Sequence, residues 1–136
     1  MFMVLLKNEL DTEKQICHCA PKLVEFKADE PLAKQFRECL GCERFETMEV
    51  DIDGHPYTIV MDAEGAAKYK IPSYYVSSEC IIFGNILFGH RDANCEIVGV
   101  EEEDAIFLGM HLLENTSKMN ALMDRVRKFG DELGLL

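Results

Sequence analysis

The longest apolar run in the chain is Glu79-Cys-Ile-Ile-Phe-Gly-Asn-Ile-Leu-Phe-Gly-His90, broken only by Gly84 and Asn85. A helix needs about 20 apolar residues to cross a bilayer, and this run falls well short. Its β-branched and aromatic content favours a strand buried on both faces. We therefore expect Cys80–Phe88 to form the central strand of a small sheet. Residues 91–95 should turn, and Glu96-Ile-Val-Gly-Val100 should return beside it.

The clearest local pattern lies upstream. In Glu46-Thr-Met-Glu-Val-Asp-Ile52, Met48, Val50 and Ile52 share one face, while Thr47, Glu49 and Asp51 share the other. Asp53-Gly54 is a favoured two-residue hairpin turn. Beyond it Tyr57, Ile59 and Met61 alternate with Thr58 and Val60. The pair reads as an antiparallel hairpin with one wet, acidic face.

Phe2–Leu6 reads as a first strand with a loop through Asp11 and Lys14. Residues 15–21 carry no clear pattern, and Lys22–Phe26 suits a short strand. A helix is expected from Asp29 or Glu30, with Pro31 at its start and Gly41 as its stop. Leu32, Phe36, Cys39 and Leu40 recur on it at helical spacing. Residues 66–78 look irregular, and Pro72 holds Ile71 extended.

After Val100, Glu101-Glu-Glu-Asp104 suits the positive end of a helix. That helix should run to about Glu114 with Ile106, Met110 and Leu113 inward. Asn115 or Thr116 should cap a second helix. On it Met119, Leu122, Val126, Phe129 and Leu133 form an amphipathic stripe. The stripe suits packing on the chain's own sheet or on a second copy, a homodimer. The fold class expected is α+β. One domain spans 1–136, a mainly antiparallel sheet with β-hairpins, one helix before them and two C-terminal helices gathered on one face or end.

At 136 residues the chain can bury about two thirds of its unfolded surface and needs no disulfide or metal staple. Its formal net charge of −11 disfavours nucleic-acid binding, which needs clustered Lys and Arg. It favours a protein partner with a basic surface. The opening Met1–Leu6 is too short for a secretory leader and no run spans a membrane, so a cytoplasmic location with reduced thiols is expected.

Cys17-His-Cys19 and Cys39-Leu-Gly-Cys42 are the one metal-like pattern, since four thiolates can hold zinc tetrahedrally. Against it, Cys39 sits in the buried stripe of its helix, where a free cysteine acts as a small hydrophobe. His90-Arg-Asp92 spells a kinase catalytic-loop tripeptide, but the phosphate loop, lysine and metal motif of a kinase are missing, so it reads as the start of a turn. The four histidines show no ligand spacing, though His90 has His55 within reach across the sheet. Tyr69, Tyr74 and Tyr75 suit either a contact surface or core packing beneath a loop. No residue is assigned a catalytic, cofactor-binding or metal role, and no cofactor is implied.

The acidic residues cluster. Glu43–Glu64 holds seven acids against Arg44 alone, and Asp92–Glu114 holds seven with no Lys or Arg. Solvation alone accounts for such faces. Recognition of a basic protein, or mimicry of DNA phosphates, is the sharper reading. Mimicry needs Glu49, Asp51, Asp53, Glu101, Glu102, Glu103 and Asp104 on one rigid face.

With these residues laid out, positions 20–113 resemble a small uncharacterised domain family of bacteria, their phages and their conjugative elements. The resemblance runs through the helix end Leu40-Gly41, the acidic strand into Asp53-Gly54, and Tyr57-Thr-Ile-Val-Met-Asp62. It continues through Glu64-Gly65, Ile71-Pro72, the strand Ile82–Leu87 and the acidic helix start. Pro72-Ser73 stands where the family pattern has Pro-Asn, and neither the Cys pairs nor the last helix belong to it. The resemblance implies a context, accessory genes of mobile elements, sometimes near antirestriction proteins. The function expected is a non-enzymatic cytoplasmic accessory protein that acts through protein–protein contact, with a DNA mimic or a small zinc-binding protein as alternatives. The acidic hairpin face and the 66–78 loop are the contact candidates.

Overall fold

The computed structural model describes residues 1–11, 16–69 and 72–134, the side chains of 9–11 and 16–19 excepted. The chain is α+β. Strands β1 (Phe2–Asp11) and β2 (Ile16–Glu25) lead into α1 (Leu32–Leu40). The β3 (Phe45–Ile52) and β4 (His55–Asp62) hairpin follows, then the single turn α2 (Gly65–Lys68). Next come β5 (Tyr74–Ser77), β6 (Cys80–Ile82), β7 (Ile86–Arg91) and β8 (Ile97–Val98). Helix α3 (Glu102–Glu132) closes the series. The main sheet is antiparallel in the order β2-β1-β7-β4-β3, with β8 paired to the end of β7. Strands β5 and β6 form a separate two-stranded ribbon.

The long apolar run is therefore two strands, not one. Phe83-Gly84-Asn85 breaks it, with Gly84 at φ +87°. A Cβ there would sit 2.8 Å from the Tyr69 ring, and the positive φ also favours glycine. The Ser73 hydroxyl donates to the Gly84 carbonyl at 2.7 Å, with the Ile82 carbonyl also within 3.1 Å, which holds the break. The Asn85 side chain accepts the Asn8 amide at 2.8 Å. Only Ile86–Phe88 keep the central place, between β1 and β4, and all three are fully buried. Each such side chain is worth roughly 1.5–3 kcal/mol of burial.

Asp53 and Gly54 have φ of 52° and 86°, the two positive values that a tight hairpin turn of this type requires. Met48, Val50 and Ile52 face inward as the alternation predicts. The partner strand departs from expectation. Thr58 and Val60 are buried as well as Tyr57 and Ile59, so β4 has no wet face. The reason is that α1 covers the far side: Phe36 and Leu40 pack with Met3, Leu5, Val60 and Leu87. The near side packs Val4, Leu6, Tyr57, Ile59, Ile86 and Phe88 with Leu108 and Leu112 of α3. The helices thus cover opposite faces of the sheet rather than gathering on one.

The two expected C-terminal helices are a single helix of 31 residues. Asn115 does not cap a new helix; its side chain accepts the Tyr75 amide at 3.1 Å and donates to the Tyr75 carbonyl at 2.9 Å. Thr116 Oγ1 donates back to the Leu112 carbonyl at 2.9 Å, a bond that a helix interior accommodates. The inward row is also different. Leu108, Leu112, Asn115 and Met119 are buried, while Ile106, Met110 and Leu113 are exposed. Both rows have helical spacing, and docking on the sheet selects the first. Of the later stripe only Met119 is buried.

The irregular reading of 66–78 gives way to α2 and β5. Ile71 and the loop at 12–15 lie outside the described residues. Strand β1 runs on to Asp11, and residues 16–21 continue β2 beyond the expected 22–26. Pro21 is tolerated because β2 is an edge strand.

Candidate protein-contact surface

The sheet gathers one polar cluster where the start of α3 crosses β4 and β7. Asp104 accepts the Tyr57 hydroxyl at 2.9 Å on Oδ1, and Oδ2 lies 3.0 Å from His90 Nε2. His90 Nδ1 is 3.2 Å from the Pro56 carbonyl. Both ring nitrogens face oxygen acceptors, so a protonated ring donates at both. Tyr57 stacks on His90 at 4.9 Å. His55 packs at a tilt on Phe107, ring centroids 4.7 Å apart, so His55 and His90 serve different partners. Burial opposes ionisation of Asp104, but hydrogen bonds from His90 and Tyr57 outweigh it and hold the carboxyl below its usual range. Burial, and then the bond to Asp104, push the Tyr57 phenol far up. The cluster is a clamp that fixes the N-terminal turn of α3 on the sheet.

Other candidates are occupied in the same way. Arg91 donates to Glu49 at 2.8 Å, to Thr47 at 2.9 Å and to the Cys95 carbonyl at 2.8 Å. Asp92 accepts the amides of Asn94 and Glu96, so the kinase-like tripeptide does open a turn. Tyr74 is buried against Phe88 and meets His111 at 2.8 Å, and burial raises its phenol to about 12. The 66–78 tyrosines thus divide, with Tyr74 in the core and Tyr69 lying over Gly84.

Of the cysteine pattern, Cys39 and Cys42 lie at the end of α1, while the side chains of Cys17 and Cys19 lie outside the described residues. Burial raises the Cys39 thiol; burial and then the Asp62 charge raise Cys42. A reactive thiol needs the opposite shift. No three metal-binding side chains converge among the described residues.

The acids named for mimicry do not share a face. Glu49 pairs across the strands with Thr58, on the side of the sheet that α1 covers. Its carboxylate accepts the Thr58 hydroxyl at 2.7 Å, and that bond and then Arg91 lower its pKa. Asp51 is on the same side and accepts the Gly54 amide at 2.8 Å. Glu101–Asp104 open α3, on the opposite side. Asp62 is buried and bound to Lys68 at 2.8 Å.

One unengaged surface lies beside the first turn of α3. A groove of about 540 Å³ is lined by Phe2, Leu23, Val100, Ala105 and Ile106, with Glu101 and Glu102 at its rim. Leu23 pairs with Val4 across β1 and β2, which puts it on the α3 side of the sheet at the edge strand. The Val100 amide donates to the Phe2 carbonyl at 2.8 Å and seats the chain entering α3 against β1. Gly99 permits this, because a Cβ there would come 2.4 Å from that carbonyl. Phe2, Leu23 and Ile106 are 44%, 58% and 59% exposed. Contiguous exposed apolar side chains with a polar rim mark a contact surface. A wider hollow of about 660 Å³ beside the end of α1 mixes Arg37 and Lys68 with Glu38, Glu43 and Glu64, and its Lys68 is already committed to Asp62.

Sequence reasoning noted the acids at 101–104 but missed the groove, whose apolar members come from both ends of the chain, Phe2 and Leu23 against Val100, Ala105 and Ile106. Comparison with protein-family models, curated proteins and solved structures gives no match.

Proposed function

We propose that this chain is a protein-binding module that acts by contact rather than by catalysis, in the accessory role that the mobile-element resemblance implies. Its partner offers an apolar side chain flanked by Lys or Arg. The apolar side chain enters the groove between Leu23 and Ile106, and the basic groups meet Glu101 and Glu102. The observation that carries this reading is the acid-rimmed groove, where three large apolar side chains stand exposed together. Apolar burial supplies affinity at such a surface, while charge supplies approach rate and selectivity. The acids also favour the helix on which they stand, through its N-terminal dipole. The DNA-mimic alternative loses ground because its carboxylates fall on opposite sides of the sheet.

The test is photo-crosslinking from position 106 in a lysate of the source organism. One captured protein is expected, released by high salt and lost when Glu101, Glu102 and Glu103 become Gln. Capture that ignores both salt and those substitutions refutes the reading.

A further inference from the structure

Helix α3 carries a second uncovered apolar surface, remote from the groove. It lies against β2, and along its second half Thr116, Met119, Met123, Arg127 and Gly130 are buried or half-buried. Leu122, Val126, Phe129 and Leu133 are not: they are 37%, 56%, 63% and 55% exposed. Their spacing of four, three and four is that of a coiled-coil seam. At 100° per residue they lie nearly opposite Ile106, Met110 and Leu113, so the two surfaces are separate.

We infer that this seam pairs with the same seam of a second copy, antiparallel, about a two-fold axis. One alignment matches all four residues with one another. Leu122 faces Leu133 of the second copy and Val126 faces its Phe129, and symmetry repeats both layers. A two-fold interface must be self-complementary in this way.

Charge independently favours the same alignment. Arg125 and Glu132 flank the seam on one side, both exposed, and neither makes an ion pair among the described residues. The alignment sets Arg125 of each copy beside Glu132 of the other, two opposite-charge pairs per dimer. A parallel alignment instead sets Arg125 beside Gly130 and forms neither pair. Net charge matters too, since two chains of −11 repel. Segment 118–134 holds four basic and three acidic residues, against ten and 22 in the remainder. Two copies therefore meet less repulsion through this segment than the charge of the whole chain implies.

This inference shares no residue with the groove and is tested apart from it. Sedimentation of the full chain at rising concentration should show a shift from 15.5 kDa toward twice that mass. R125E alone, or E132R alone, should return the single-chain mass by setting like charges together, and R125E/E132R should restore the doubled mass. V126E/F129E should stay monomeric with an unchanged helical circular-dichroism signal, since both side chains are exposed. I106D should leave the mass doubling intact. Mixing L122C chains with L133C chains should give more disulfide-linked dimer than either alone. A single-chain mass at every concentration overturns the inference. So does a dimer that survives V126E/F129E, a double charge swap that restores nothing, or an L122C chain that cross-links best to itself.

Discussion

Replacing Asn115 tests whether the C-terminal segment is one helix clamped to the β5–β6 ribbon or two helices joined by a cap. The Asn115 side chain is buried and satisfies both the amide and the carbonyl of Tyr75. Asn115→Ala leaves both groups without that partner. Each such loss costs about 1–3 kcal/mol when the group is buried. Tyr75 is only half-buried, so water recovers part of the loss, and about 2–3 kcal/mol in all is expected. A helix cap behaves differently: its removal costs about 1 kcal/mol, and Ser or Asp replaces Asn with little change. In the clamp neither substitute serves. Ser is too short to reach both groups, and Asp can accept from the amide but sets a carboxylate against the carbonyl. Urea unfolding followed by circular dichroism should therefore rank Asn115→Ala, Asn115→Ser and Asn115→Asp all well below the parent. Full stability in the Ser and Asp variants would refute the clamp.

Two further outcomes follow from the packing and the polar cluster. Leu108→Ala and Leu112→Ala should each cost about 2–5 kcal/mol in the same assay, and Met110→Ala about 0.5 or less, because only the first two are enclosed. Equal costs at positions 108 and 110 would contradict the rotation of the helix. Asp104 has its folded-state pKa lowered, so its contribution is present above the ordinary carboxylate range and is lost as pH falls through the lowered value. Asp104→Asn should flatten the acid limb of the stability profile, and an unchanged limb would contradict the clamp on α3.

Short-range chemistry was legible in the sequence, and long-range cover was not. Asp53-Gly54 specifies its turn through backbone conformation alone, and α1 stops at Gly41 as expected, though it starts at Leu32, with Pro31 outside it, rather than at Asp29 or Glu30. Glu101–Asp104 open a helix as charge and dipole require. The wet face assigned to β4 was wrong because nothing local tells that α1 will lie across Val60. The strand break at Phe83–Asn85 depends on Ser73 and Tyr69, which reach it only in the folded chain. Helix α3 carries two apolar rows with equal helical spacing, and the sheet rather than the sequence selects between them. The groove was hidden for the same reason, since Ile106 belongs to the row expected to face inward. Leu23 reaches the groove only through its register with Val4.

The groove between Leu23 and Ile106 is proposed to accept an apolar side chain carried by a basic segment. Selection from a random peptide library on the immobilised chain tests it without knowledge of the natural partner. The enriched sequences should centre on one large apolar residue flanked by Lys or Arg, and Ile106→Asp should abolish their binding. Enrichment without basic residues, or binding that survives Ile106→Asp, would contradict it.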